Sequence, residues 1–124
     1  YASVYAEALS LAVKSGLTPQ TVRDVMGPSR MGCGVFDTFF TAAVGDDPNA
    51  HKFAIANAAK DVHYVANMAM AAGVMNPMGA AVRNYFDQAE AAGKGQDYVP
   101  MIANHIAALN GFDLPAAVKK GNES

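Results

Sequence analysis

The chain is poor in charge and cysteine, and both shortages restrict its function. Charged residues make up 16% of it, and nine basic residues against eleven acidic ones give a net charge of −2. Without a basic surplus it cannot displace counterions from phosphates, so a nucleic-acid partner is disfavoured. The single cysteine, Cys33, cannot form an internal disulfide. It suits a reducing compartment, and we expect a cytoplasmic protein.

Long apolar runs, strand patterns and metal-ligand spacings are missing as well. No apolar run reaches the ~18 residues that cross a bilayer, and no signal peptide is visible, so we expect no membrane association. Neither period-2 alternation of useful length nor hairpin dipeptides occur, which disfavours a sheet. The three histidines, His51, His63 and His105, lie far apart and form no i, i+4 pair with another ligand. We therefore predict no metal site.

What the chain contains is a helical pattern broken by glycine, proline and asparagine. Its 124 residues are 52% hydrophobic, enough for one domain with a real core. The fold class that we predict is all-α, a compact bundle of about six helices around one long central helix. The predicted helices cover residues 1–15, 18–26, 35–44, 50–72, 77–92 and 98–110. The domain is expected to span 1–111, followed by a polar tail, 112–124, that frays.

The long helix has two faces at 100° per residue. One is a core stripe of small and apolar side chains: Ile55, Ala58, Ala59, Val62, Val65, Ala66 and Ala69. The other combines aromatic, amide and charged side chains: Phe53, Asn57, Lys60, Tyr64 and Asn67, with Asp61 and Met68 at its edge. Lys60 and Asp61 point about 100° apart and are not expected to pair simply with each other.

Two interpretations of the polar face remain open. It is either a solvated face whose aromatics pack on neighbouring helices, or it reaches into a cleft shared with another domain. In the cleft, Lys60 would offer positive charge to an anionic ligand and Asp61 would orient a donor.

Four motifs, in order along the chain, carry a resemblance to a known family. They are Ala6-Glu7-Ala8 before Gly16-Leu17-Thr18, Phe53-x6-Lys60-Asp61, Ala72-Gly73-Val74 before Pro77-Met78, and Ala92-Gly93-Lys94-Gly95 before Asp97-Tyr98. The set resembles the β-hydroxyacid dehydrogenases, which include 3-hydroxyisobutyrate dehydrogenase and tartronate semialdehyde (2-hydroxy-3-oxopropionate) reductase. The loop Gly27–Gly34 departs from the family pattern and leaves the substrate open. The late glycine turn is one residue shorter before Asp97 than the turn in the family pattern.

The resemblance implies the C-terminal helical domain of a two-domain enzyme, similar to those of 6-phosphogluconate dehydrogenase-like proteins. An N-terminal Rossmann domain, absent from this chain, would bind NAD or NADP. The catalytic lysine would lie upstream of Tyr1, so we expect no catalytic residue here and no activity of this chain alone. Lys60 and Phe53 match cofactor-contacting positions, and Asp61 matches a position lining the substrate cleft.

The resemblance also implies a small β-hydroxyacid substrate and a homodimer or homotetramer. We expect the alanine-rich stripe and the cluster Phe36, Phe39 and Phe40 to offer the apolar surface for that assembly. A second hypothesis, from another class of function, is that the chain is a stand-alone helical interaction module without catalysis.

Overall fold

The computed structural model describes all residues, 1–124, and is helical throughout. The helices are α1 (Ala2–Lys14), α2 (Pro19–Met26), α3 (Gly34–Ala43), α4 (Ile55–Ala72), α5 (Pro77–Ala91), α6 (Ile102–Leu109) and α7 (Leu114–Asn122). A 3-10 turn, Val99–Met101, leads into α6. Extended pairing is limited to one isolated antiparallel bridge between Ala54 and Tyr98. The predicted all-α bundle is confirmed.

The helix boundaries follow from local chemistry. The Thr18 hydroxyl accepts a hydrogen bond from the Thr21 amide at 3.1 Å, and Pro19 fills the first position of α2. Gly73 ends α4 with a left-handed φ of +67°, which a side chain would disfavour. Pro77 then begins α5. None of the helices combines the length and the apolar character that crossing a bilayer requires.

The core lies between α1 and the helices packed around it. α1 packs most extensively against α6 and also contacts α2 and α3. Tyr5 of α1 sits at 5.3 Å, between ring centroids, from both Phe36 and Phe39. Phe36 and Phe40 stack at 4.1 Å, and all three phenylalanines are fully buried. The expectation that this cluster offers an assembly surface is therefore wrong, because it fills the core instead. We call α1, α2, α3, α6, α7, the start of α4 and the second half of α5, where Phe86 and Ala89 are buried, the body.

The end of the chain is a helix and does not fray. The Asp113 carboxylate caps α7 by accepting a hydrogen bond from the Ala116 amide at 2.7 Å. Leu114 is buried in the core. The Gln20 side chain donates to the Val118 carbonyl at 2.8 Å and so joins α7 to α2. The predicted fraying is wrong because one buried leucine and one cap are enough to dock a short helix.

α4 is the longest helix, as predicted, but its two halves differ. It begins at Ile55 rather than at residue 50, and Ile55, Ala58 and Ala59 are buried in the body. Beyond Val62 the helix packs extensively only against α5. Val65, predicted to be core, is exposed. The prediction for Val65 is wrong because the apolar stripe of α4 continues beyond the part of the helix that packs on the body.

Candidate functional site

The start of α4 is fastened to a turn that lies about forty residues further along the chain. The Val99 amide donates to the Phe53 carbonyl at 2.8 Å, and the Ile55 amide donates to the Asp97 carbonyl at 2.8 Å. These bonds flank the Ala54–Tyr98 bridge. Two of the sequence motifs, Phe53-x6-Lys60-Asp61 and the late glycine turn, therefore form one unit in space. We call this unit the α4 clamp.

The clamp also determines what the beginning of α4 can bind. The Ala56 amide donates to the Gly95 carbonyl at 2.8 Å, and the Ile55 amide is already bonded to Asp97. Amides at a helix start are otherwise free to bind anions. Here the chain's own carbonyls occupy them, so any anion that binds at this end must be recognised by side chains.

Phe53 lies just outside the helix. The helical pattern predicts Phe53 on the outer face of the helix, whereas α4 begins only at Ile55, so that prediction is wrong. The cause is the clamp, which holds Ala54, the residue between Phe53 and the start of α4, in an extended conformation with φ −69° and ψ 144°. The Phe53 ring is partly exposed to solvent at the base of the helix.

Lys60 and Asp61 approach each other, contrary to expectation. The Lys60 Nζ and Asp61 Oδ1 atoms are 3.7 Å apart, and the two side chains are 55% and 57% exposed. The backbone directions diverge as predicted, but the flexible lysine stem bends across the gap. An exposed pair of this kind contributes at most about 1 kcal/mol, so Lys60 remains available to a competing anion.

The polar side of α4 has no partner within the chain. We call it the α4 outer face, and its exposed members are Asn57, Lys60, Asp61, Tyr64, Asn67 and Met68. Apart from the Lys60–Asp61 contact, these side chains make no hydrogen bond or ion pair. The Tyr64 side chain is 60% exposed. Phe53, Lys60 and Asp61 line none of the five cavities of about 170–430 Å³ on the chain. The face is therefore an exposed, open wall outside these cavities.

The side chains on this wall suit a dinucleotide. The Lys60 ammonium can bond phosphate or carbonyl oxygens, and an aromatic ring such as Phe53 can cover a planar ring system. Dinucleotide pyrophosphates elsewhere rest on free helix amides. The amides at the start of α4 are already bonded to Asp97 and Gly95, so this face offers a phosphate only its side chains.

A side-chain hydrogen bond joins α4 to α5, and sequence reasoning missed it. The His63 Nε2 and Asp87 Oδ1 atoms are 2.7 Å apart, and Arg83 Nε lies 3.9 Å from the other oxygen of Asp87. The sequence shows no such pair, because 24 residues separate His63 from Asp87 and only the hairpin brings them together. No group of three or more potential metal ligands forms anywhere in the chain.

Three pKa shifts arise away from the α4 outer face, at Tyr5, Cys33 and Tyr85. Burial, followed by a hydrogen bond with Cys33, raises the pKa of Tyr5 to about 12. The Phe36 backbone amide, followed by Tyr5, lowers the pKa of the Cys33 thiol at the start of α3. The Glu7 carboxylate, which accepts a hydrogen bond from the Tyr85 hydroxyl, raises the pKa of Tyr85. These shifts follow from packing and local hydrogen bonds and mark no catalytic cluster.

The all-helical fold and a comparison with known families together define the class of protein. Residues 2–105 match the family described as "NAD-binding of NADP-dependent 3-hydroxyisobutyrate dehydrogenase", and the chain belongs to that family as its C-terminal helical domain. The match favours a dehydrogenase origin over a stand-alone interaction module. No curated protein matches the sequence significantly.

Proposed function

We propose that this domain forms one wall of the cofactor cleft in an NAD(P)-dependent dehydrogenase. The substrate would be a small β-hydroxyacid of the 3-hydroxyisobutyrate or tartronate semialdehyde type. The observation that carries the proposal is the exposed Lys60 on the α4 outer face, which contacts only the exposed Asp61, beside a helix start with no free amides, in a chain of this family.

Each side chain on the wall has a distinct role in the proposal. Lys60 bonds a phosphate, ribose or carboxamide oxygen of the dinucleotide, and its weak contact with Asp61 yields to that stronger one. Phe53 keeps water from the reacting carbon, and Asp61 orients the substrate or a donor group next to it. The nicotinamide supplies or accepts the hydride. Hydride transfer benefits from the closeness and shelter that two closing walls provide.

The opposite wall is assigned to a Rossmann domain, which the family implies for the parent enzyme. That domain would contribute the glycine-rich turn for the pyrophosphate, and the catalytic lysine would lie upstream of Tyr1. The chain alone would then be inactive. The proposal also includes a homodimer or homotetramer and a cytoplasmic location, the latter supported by the single cysteine.

Dinucleotide kinetics of the parent dehydrogenase test the role of Lys60. Lys60→Ala should raise the KM for NAD or NADP by roughly 10- to 100-fold, because it removes a charge-assisted contact of about 1.5–3 kcal/mol. Steady-state rates measured against dinucleotide concentration, with hydroxyacid in excess, give this value.

A matched lysine serves as the control. Lys119 of α7 is also exposed and lies outside the α4 outer face, so Lys119→Ala should leave the KM unchanged. An unaltered dinucleotide KM in the Lys60→Ala enzyme, or an equal rise in both variants, would remove the basis for the proposal.

A further inference from the structure

A polar cavity of about 430 Å³ lies where α1, α5 and the end of α6 meet, and we call it the α1 cavity. Its lining residues are Glu7, Ser10, Leu11, Lys14, Tyr85 and Asn110. The volume is within the roughly 300–1,000 Å³ that is usual for small-molecule sites. Leu11 has the only aliphatic side chain of the set, so the cavity suits a polar ligand better than an apolar one. None of the lining residues belongs to the α4 outer face.

One end of the α1 cavity is acidic and is formed by a hydrogen-bonded pair. The Tyr85 hydroxyl donates to Glu7 Oε1, and this bond raises the pKa of Tyr85, so the phenol keeps its proton at neutral pH. The second Glu7 oxygen and the Tyr85 oxygen receive no hydrogen bond from the chain. A carboxylate oxygen beside a phenol oxygen accepts hydrogen bonds and carries negative charge. This end of the cavity is therefore suited to an ammonium group.

The other end of the α1 cavity is basic. Lys14 follows Glu7 by seven residues in α1, so the two side chains leave the same face of the helix, two turns apart. The ion pairs of the chain involve other residues, and no carboxylate lies within ion-pair distance of Lys14. The exposed Lys14 ammonium is therefore free to bind the carboxylate of a ligand.

The wall between the two ends contains hydrogen-bonding groups that the chain does not use. Ser10 is only 6% exposed, and its Oγ atom has no hydrogen-bond partner. A buried hydroxyl without a partner is unfavourable, and rotation about one side-chain bond can turn it towards a ligand. Asn110 Nδ2 donates to the Ile106 carbonyl at 2.8 Å, which leaves Asn110 Oδ1 as an acceptor. The unused hydroxyl is a second indication, independent of the charges, that the cavity holds a polar molecule.

We propose that the α1 cavity binds a small zwitterion, an ω-amino acid, with its ammonium group at Glu7 and its carboxylate at Lys14. The two anchoring residues lie about 10 Å apart along the helix axis. A charge-assisted hydrogen bond of about 2.8 Å at each end leaves about 5 Å for the ligand. Two or three methylene groups between the amino nitrogen and the carboxyl carbon span about this distance, whereas the single carbon of an α-amino acid spans about half of it.

The two charges also exclude other small molecules. A dicarboxylate would place a second negative group beside Glu7, and a diamine would place a second positive group beside Lys14. Repulsion between like charges disfavours both, so a zwitterion is the ligand class that satisfies both ends of the cavity.

Titration of this chain with γ-aminobutyrate, followed by NMR of the backbone amides, tests the site. Saturable shifts should appear in α1 and around residues 85 and 110, with a Kd of roughly 0.1–1 mM, as expected for so small a ligand. Glycine, butyrate and n-butylamine are matched probes, because glycine shortens the spacing between the charges and the other two each lack one charge. Each should bind at least about 10-fold more weakly.

Substitutions at the two ends test which side chains bind the ligand. Glu7→Gln and Lys14→Ala should each raise the Kd for γ-aminobutyrate at least about 10-fold, because each removes a charge-assisted contact. Both side chains are exposed, so the helical circular dichroism should not change. Lys119→Ala, which removes an exposed lysine outside the cavity, is the control and should change the Kd less than about twofold.

Ser10→Ala tests the hydroxyl separately from folding. It should raise the Kd about 3- to 10-fold without lowering the free energy of unfolding, because the hydroxyl has no partner in the chain to lose. A less stable Ser10→Ala chain would contradict the argument from the unused hydroxyl.

Three results would overturn the proposal. The absence of saturable shifts up to about 20 mM γ-aminobutyrate would remove the site. Equal affinity for glycine, butyrate or n-butylamine would remove the ω-amino acid as the ligand class. Binding that neither Glu7→Gln nor Lys14→Ala weakens would place the ligand outside the α1 cavity. The Lys60 kinetics are independent of each of these results.

Discussion

The body and the end of the α4–α5 hairpin, residues 70–78, which we call the hairpin tip, are built from the same helical, alanine-rich sequence, yet they differ in what they contact. In the body, an apolar stripe on each helix meets another helix, and Phe36, Phe39 and Phe40 are fully buried. In the tip, the same periodicity continues, but Met70, Met75 and other large side chains face solvent. Helical periodicity therefore identifies the apolar side of a helix without identifying its partner.

This contrast has an energetic consequence. Burial of apolar area is the main favourable contribution to folding, so substitutions in the body should affect the free energy of unfolding far more than substitutions in the tip. The three predictions that follow examine this difference, from the largest expected effect to the smallest.

The largest effect should come from the phenylalanine cluster. Phe39→Ala should lower the free energy of unfolding by about 3–5 kcal/mol, because it leaves a cavity among packed rings. Met75→Ala in the tip should change it by less than about 0.5 kcal/mol. Urea denaturation at submicromolar chain concentration measures both values without a contribution from association. A cost above about 2 kcal/mol for Met75→Ala would show that the tip packs on the body.

A smaller effect is expected at the end of the chain. Leu114→Ala should lower the free energy of unfolding by about 2–3 kcal/mol, because Leu114 docks α7 but a helix this short can also detach locally. Lys119→Ala, on the exposed side of α7, is the control and should be nearly neutral. The same urea series measures both. If Leu114→Ala left the free energy of unfolding unchanged, the docking of α7 would contribute no stability to the body.

The smallest effect concerns pH. Tyr5 has a folded pKa of about 12 against an ordinary value of 10.0, so between these values the folded state retains a proton that the unfolded state has lost. Stability must then fall as the pH rises above 10, by about 1.4 kcal/mol at pH 11, and level off above 12. Urea denaturation at several alkaline pH values, compared with Tyr5→Phe, isolates this contribution. A wild-type curve parallel to that of Tyr5→Phe would contradict the shift.

Most of the fold could be predicted from local sequence signals. Thr18-Pro19, Gly73 and Asn76-Pro77 are start and stop signals that act within one turn, and the structure places boundaries at or beside them. The predicted helix boundaries are wrong where contacts with residues far along the chain determine the local structure. The sequence of residues 50–54 is typical of a helix, but hydrogen bonds to residues 95–99 keep part of this segment extended. α7 was missed because its stability depends on docking Leu114 and not on its own polar sequence.

Less of the site could be predicted. The helical wheel correctly grouped Lys60 with Tyr64 and Asn67, since all are exposed on one side of α4. It could not show that Phe53 lies off the helix, that lysine flexibility brings Lys60 to Asp61, or that Asp87 bonds His63. Each of these depends on side-chain reach or on a contact between separate helices. The roles of Lys60, Phe53 and Asp61 rest on family resemblance together with the open geometry.

The α4 clamp makes the position of Lys60 depend on segment length more than on side-chain identity. The bonds that join residues 53–56 to residues 95–99 are all between main-chain atoms, so most substitutions in the turn leave them intact. An insertion or deletion between Gly93 and Tyr98 would instead shift which carbonyl meets which amide. A shift of one residue in the start of α4 would turn Lys60 by about 100° around the helix axis, away from the α4 outer face. The number of residues in one distant turn therefore sets the direction of the lysine to which the proposed function assigns the cofactor contact.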